Sequence, residues 1–251
     1  MRLLVCALLL GGADDGLKNV RVVGARHVHY ADHAKGIRPL NAMEAGLTLS
    51  ILAELPRPAL GVKDGKLLRA TSDAGEDLLP KKDWDRRLGF PALSEDRGSV
   101  VFDVTLRPPG PQAKGFAEIS GAFTYTAGDK TEERDLGLGD WSAGSKGKEL
   151  GAEIEQLREE AFDKSHVLGL TLKTPRESVA GVDFYDAEGK RIEVRPAGYM
   201  ATGGMVTLNF ASKAKFPPKG RIVARMYADL KSFEATFTLK DLDLLGRPAK
   251  K

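Results

Sequence analysis

The sequence predicts an all-β protein built as two tandem antiparallel β-sandwich domains. Three observations predict it. Apolar residues recur with a period of two, short strands are punctuated by Gly, Pro and Asp turns, and a set of sequence landmarks occurs twice in the same order. At 251 residues the chain is long enough for two domains of ordinary size, and 42% hydrophobic with 29% charged residues provides for packed cores.

The chain opens MRLLVCALLLGGADDG. Arg2 supplies a positive start, Leu3 to Leu10 an apolar run, and Gly11 and Ala13 small residues ahead of Asp14, which is the pattern of an export signal peptide over residues 1–13. The run is too short to cross a bilayer as a helix, so no transmembrane segment is expected in the mature chain. The expected location is outside the cytoplasm: periplasmic, cell-surface or extracellular. Cys6 is the only cysteine and falls in this segment. A mature chain without it has no disulfide, no Cys-based zinc site and no Cys nucleophile.

Domain 1 is expected over residues 14–140 and domain 2 over 141–251. The first shared landmark is LTLSILAELP (Leu47 to Pro56) beside LGLTLKTP (Leu168 to Pro175), each an alternating strand ending at proline. LLRATSDAGEDLLP (Leu67 to Pro80) then matches VAGVDFYDAEGKRIEV (Val179 to Val194), two strands around an acidic Asp-Ala turn. VVFDVTLRPP (Val100 to Pro109) matches MVTLNFASKAKFPP (Met205 to Pro218), and the segment from Gly115 to Gly128 matches that from Gly220 to Leu244. Within them Phe102, Val104 and Leu106 share one face. So do Ala117, Ile119, Gly121, Phe123 and Tyr125, and likewise Phe233, Ala235, Phe237 and Leu239. One buried and one wet face marks antiparallel sheets, and two such sheets cover each other as a sandwich. LGDWSAGSKGK (Leu138 to Lys148) reads as the linker between the copies. Lys148 to Asp163 has helical composition, but its place in the repeat predicts a strand through Ala152 to Leu157.

The order of strand, Asp-Ala-Gly turn, Pro-Pro, GFAEISGAFTYTAG and terminal FTLKDLDL resembles a group of predicted secreted bacterial proteins. Their domains are taken to be immunoglobulin-like or C2-like sandwiches. The resemblance implies an architecture and an extracytoplasmic address, and no catalytic residues.

The net charge is +3, from 38 basic and 35 acidic residues. That balance lacks the clustered basic footprint of a nucleic-acid partner. Chemistry-bearing residues are few. His27, His29 and His33 lie together in HVHYADH, and His27 and His29 share a strand face, so the three are candidate ligands for Zn²⁺ or Cu²⁺. The acidic turns Ser72 to Asp77 and Tyr185 to Lys190 lack the alternating pattern of a calcium loop and read as hairpin turns. GSKGK (Gly144 to Lys148) lacks phosphate-loop spacing, and no Gly-x-Ser-x-Gly elbow occurs. Trp84, in the charged loop KKDWDRR, is a candidate partner contact, whereas Trp141 reads as a cap on its own domain. The expected function is that of an exported, non-catalytic binding or structural protein, with a protein or glycan of the cell envelope as partner. The alternative is a metal-binding protein centred on the three histidines.

Overall fold

The computed structural model describes residues 16–28, 46–161 and 164–249. The expected signal peptide, residues 1–13, lies outside them, as do His29 and His33. Among the described residues the chain is antiparallel β-structure in four sheets with no α-helix, and no helix is long and apolar enough to cross a membrane. It divides into two units: unit 1 comprises residues 1–127 and 231–251, and unit 2 comprises residues 128–230.

Unit 1 has one sheet in the order β1-β2-β5-β4 and a second in the order β15-β6-β3. The first holds β1 (Lys18–Val28), β2 (Gly46–Glu54), β5 (Ser99–Leu106) and β4 (Gly89–Leu93). The second holds β15 (Lys231–Asp243), β6 (Gly115–Ala127) and β3 (Gly61–Ser72). The period of two decides what is inside. Leu47, Leu49, Ile51 and Ala53 alternate with wetter neighbours along β2, and they sit opposite Leu106, Val104, Phe102 and Val100 of β5. The two sheets meet through aromatic rings, Phe102 lying 5.5 Å from Phe123 and 5.1 Å from Phe237. At one point the alternation differs from expectation. Phe116, opposite Leu242, is buried and Ala117 is exposed, at a kink where Asp241 takes a φ of 51°.

Gly121 marks a tight spot of this core. A Cβ there would lie 2.6 Å from the Phe237 ring and 2.8 Å from the carbonyl of Lys66, a backbone atom that cannot swing aside. Gly121→Ala is therefore expected to destabilise unit 1 by about 1–3 kcal/mol through overpacking. A shift in its urea midpoint at constant slope checks this; an unchanged midpoint would show that the strands part without strain.

Unit 2 has one sheet in the order β11-β10-β14-β7 and another in the order β12-β13-β9-β8. The former holds β11 (Arg191–Ile192), β10 (Val179–Asp186), β14 (Gly220–Tyr227) and β7 (Thr131–Asp135). The latter holds β12 (Arg195–Thr202), β13 (Met205–Ser212), β9 (His166–Leu172) and β8 (Glu153–Glu159). The helical composition before His166 is overridden as expected, because β8 pairs with β9 and Ile154 joins the core opposite Leu170. Phe184 of one sheet and Phe210 of the other meet edge to face at 4.9 Å.

Two expectations need correcting. The end of the chain belongs to unit 1, because β15 pairs with β6 from Lys231↔Ala127 to Asp243↔Gly115. Unit 2 is thus inserted between two paired strands and does not follow unit 1 in tandem. Its neck is tied by Asp229, whose Oδ1 accepts the backbone N–H groups of Asp129 at 3.0 Å and Lys130 at 2.9 Å. The stretch read as a linker is mostly exposed but anchors itself in the core of unit 2: Leu138 and Trp141 are buried, and the Trp141 indole N–H donates to the Leu138 carbonyl at 3.1 Å. Trp141 also meets the Phe184 ring at 5.9 Å, which makes it the cap expected of it.

Candidate functional site

A deep concavity lies within unit 2, where the chain crosses from one sheet to the other. β10 turns into β11 through a hairpin that its own sequence closes. The Asp186 carboxylate accepts the Lys190 N–H at 2.7 Å, and Gly189 takes a φ of 83°. In the acidic turn of unit 1 the Ser72 hydroxyl accepts the Glu76 N–H at 3.1 Å and the Asp77 carboxylate the Leu79 N–H, while the Asp73 carboxylate accepts the Lys114 N–H of another loop. These side chains are engaged with backbone N–H groups, and Thr71 bridges antiparallel to Asp77 across the turn. β11 is only two residues long, opposite Phe184 and Tyr185, before Glu193 and Val194 carry the chain over to β12. β12 and β13 then form a hairpin about Gly203 and Gly204, whose φ values of 58° and 80° suit a tight type I′ turn.

Between β10 and β12 this leaves a cleft of about 770 Å³, within the range of small-ligand sites. Its inner wall is apolar, with Val182, Phe184, Leu208 and Phe210. Its rim is cationic, with Arg176, Arg191 and Arg225 against Asp183 and Glu193. Asp183 is 8% exposed and holds the rim together, pairing with Arg191 and, at 3.0 Å, with Nε of Arg225. Arg225 reaches it by passing over Gly181, its cross-strand neighbour, where an added Cβ would stand 2.5 Å from the guanidinium. Arg176 spans the mouth. Its Nη1 donates to the Val179 carbonyl at 2.8 Å on β10, and its guanidinium sits 5.3 Å over the Tyr199 ring on β12. Each guanidinium has five N–H donors, more than these contacts consume, so donors remain to bind an anion. The lining contains no Ser, Thr, Cys, Lys or His, so it offers no nucleophile with an adjacent imidazole or amine base.

The residues singled out from sequence lie elsewhere. His27 is exposed near the end of β1, on the face opposite buried Val28. Its expected co-ligands His29 and His33 fall outside the described residues, among which no three His, Cys, Asp or Glu side chains gather as a metal site. Trp84 is 65% exposed on a short 3-10 turn, Asp83–Arg86, with the Lys82 ammonium 5.7 Å from its ring. Phe90 on β4 is 89% exposed. The cleft itself carries no sequence motif. Arg176, Asp183, Arg191 and Arg225 sit in separate segments, and only strand pairing brings them together.

No protein-family model matches this chain, and no curated protein matches it. Among solved structures it is similar, at a TM-score of 0.14 and 8% identity, to a chain described under manganese lipoxygenase of Gaeumannomyces graminis and partial zonadhesin of Komagataella pastoris. The alignment covers 90% of this chain and 94% of that one. A likeness so slight carries no argument about fold or function.

Proposed function

We propose that this chain is an exported, non-catalytic binding protein whose ligand occupies the cleft between β10 and β12 and presents an anionic group to its arginines. The observation that carries this is the composition of the cleft: an apolar inner wall below a rim with three arginines and two carboxylates. Such a site favours a ligand with an apolar body and a carboxylate or comparable anion. Asp183, held between two guanidiniums, fixes those cations at the rim. Export rests on the leader-like opening of the chain.

We also infer that each unit is an immunoglobulin-type sandwich. In unit 1 the order β1-β2-β5-β4 against β15-β6-β3 corresponds to strands ABED against GFC. In unit 2, β8-β9-β13-β12 repeats the ABED order, with β14, β10 and β11 as F, C and C′. The G position is taken by β7, which precedes the other strands in the chain. On this reading unit 2 fills the F–G loop of unit 1, a position where such domains carry binding loops.

Thermal unfolding of the whole chain with citrate, N-acetylglutamate or a pool of acidic octapeptides tests the cleft. At least one is expected to raise the unfolding temperature of unit 2, by an amount equivalent to about 2.7 kcal/mol at a hundredfold excess over Kd. The rise should shrink with added salt and disappear in Arg225→Ala. If none of the three moves the transition, the reading fails.

A further inference from the structure

We infer that the occupant of this cleft is an extended acidic peptide, added as one more strand along the free edge of β10; this rests on the cleft being the binding site. β10 is paired along one side by β14, from Val179↔Met226 to Asp186↔Gly220. On its other side β11 covers only Phe184 and Tyr185. Among the described residues no strand pairs with that side from Val179 to Asp183. The lining shows that the cleft runs along this edge. Successive side chains of a strand point to opposite faces, so a cavity against one face meets every second residue. This one is lined by every residue from Val179 to Phe184, as a cavity that runs along the strand's edge would be.

An open edge is a template for another strand, and proteins ordinarily blunt one with Pro, Lys, bulges or charge. β12 is blunted in this way, with Pro196 and a register shift before Tyr199. β10 has neither Pro nor Lys, is irregular only at Ala180, and has its one carboxylate on this stretch tied up by arginines. Strand addition would supply backbone hydrogen bonds for affinity and alternate side-chain sites for specificity.

The two faces define the peptide's pattern. Side chains directed to the outer face meet Arg225, where it passes over Gly181, and Arg191. Those directed inward meet the apolar wall of Val182, Leu208 and Phe210. Arg176, bound to the Val179 carbonyl, adds positive charge at the far end of the edge. The matching ligand alternates Asp or Glu with Val, Ile, Leu or Phe.

The test is to pan a random octapeptide display library against the whole chain and to measure the enriched peptide by fluorescence anisotropy. Acidic–apolar alternation is expected in the enriched sequences, with binding weakened at least tenfold by Arg176→Ala and by Gly181→Val. Both variants should keep the fold, as judged by circular dichroism. N-methylation of the peptide should abolish binding at residues of one parity and spare the other. Backbone amides of Ala180 to Asp183 that face the edge should exchange at least tenfold more slowly in the complex. Peptides that bind without protecting these amides overturn the inference. N-acetylglutamate binding that is lost in Arg225→Ala, without any peptide enrichment, leaves a small-anion cleft and likewise overturns it. If neither probe binds, the cleft reading falls as well.

Discussion

Deleting residues 231–251 is expected to abolish the folding of unit 1 and to leave unit 2 folded. The deleted segment contains β15, which pairs with β6 over the whole length of both strands. It contributes Ala235, Phe237, Leu239 and Leu242 to the core, and Phe233 stacks on Tyr125 at 5.3 Å. Burying a large apolar side chain stabilises by about 1.5–3 kcal/mol, so these together match the 5–15 kcal/mol that holds a typical domain. The deletion would also expose β6, the central strand of its sheet. The readout is direct because each unit has one tryptophan, Trp84 in unit 1 and Trp141 in unit 2. Trp141 should keep its buried emission while the dispersed amide signals of unit 1 collapse. The reciprocal experiment replaces Gly128 to Leu230 by an Asn-Gly turn joining Ala127 to Lys231, which are paired. Unit 1 should fold from that shortened chain. Loss of unit 2, and not unit 1, on deleting residues 231–251 would refute the inserted arrangement.

Phe184→Ala is expected to cost unit 2 about 3–5 kcal/mol, the usual range for truncating a buried phenylalanine. Phe184 is fully buried and joins both sheets, meeting Phe210 at 4.9 Å, Trp141 at 5.9 Å and Phe216 at 6.0 Å. The cavity left behind opens onto the cleft, whose inner wall Phe184 also forms. Scanning calorimetry should show the transition of unit 2 moving down while that of unit 1 stays in place. The near-ultraviolet signal of Trp141 should weaken as its edge-to-face partner is lost. A cost below about 1 kcal/mol would mean that the neighbouring rings collapse into the space.

The strands themselves were legible because alternation is a local property. Leu47, Leu49 and Ile51, or Phe233, Ala235 and Phe237, need only their own segment to declare an inner face, and the structure buries each as expected apart from Phe233, which is half-buried. Of the segments read as repeating, β2 lies beside β5 as β9 lies beside β13, and β3 beside β6 as β10 beside β14. What failed was the assignment of the last strand. β7 reads TEERD and is exposed throughout, an edge with no apolar alternation to announce it. β15 follows β14 closely in the chain, so proximity in sequence assigns it to the second copy. The cleft was equally invisible, since its guanidiniums and carboxylates are scattered between residues 176 and 225 with no spacing that marks a site.

Local patterning is enough to establish that the chain is all-β and which faces of its alternating strands are apolar. Each of these is a pattern among neighbouring residues. Long-range pairing settles which strands meet across a hundred residues, and so that residues 128–230 lie between the paired strands β6 and β15. The same pairing ends β11 after two residues and leaves the β10 edge from Val179 to Asp183 without a strand partner among the described residues. Pairing is a choice among edges that are locally equivalent, and it is settled by which arrangement buries the most apolar surface at once.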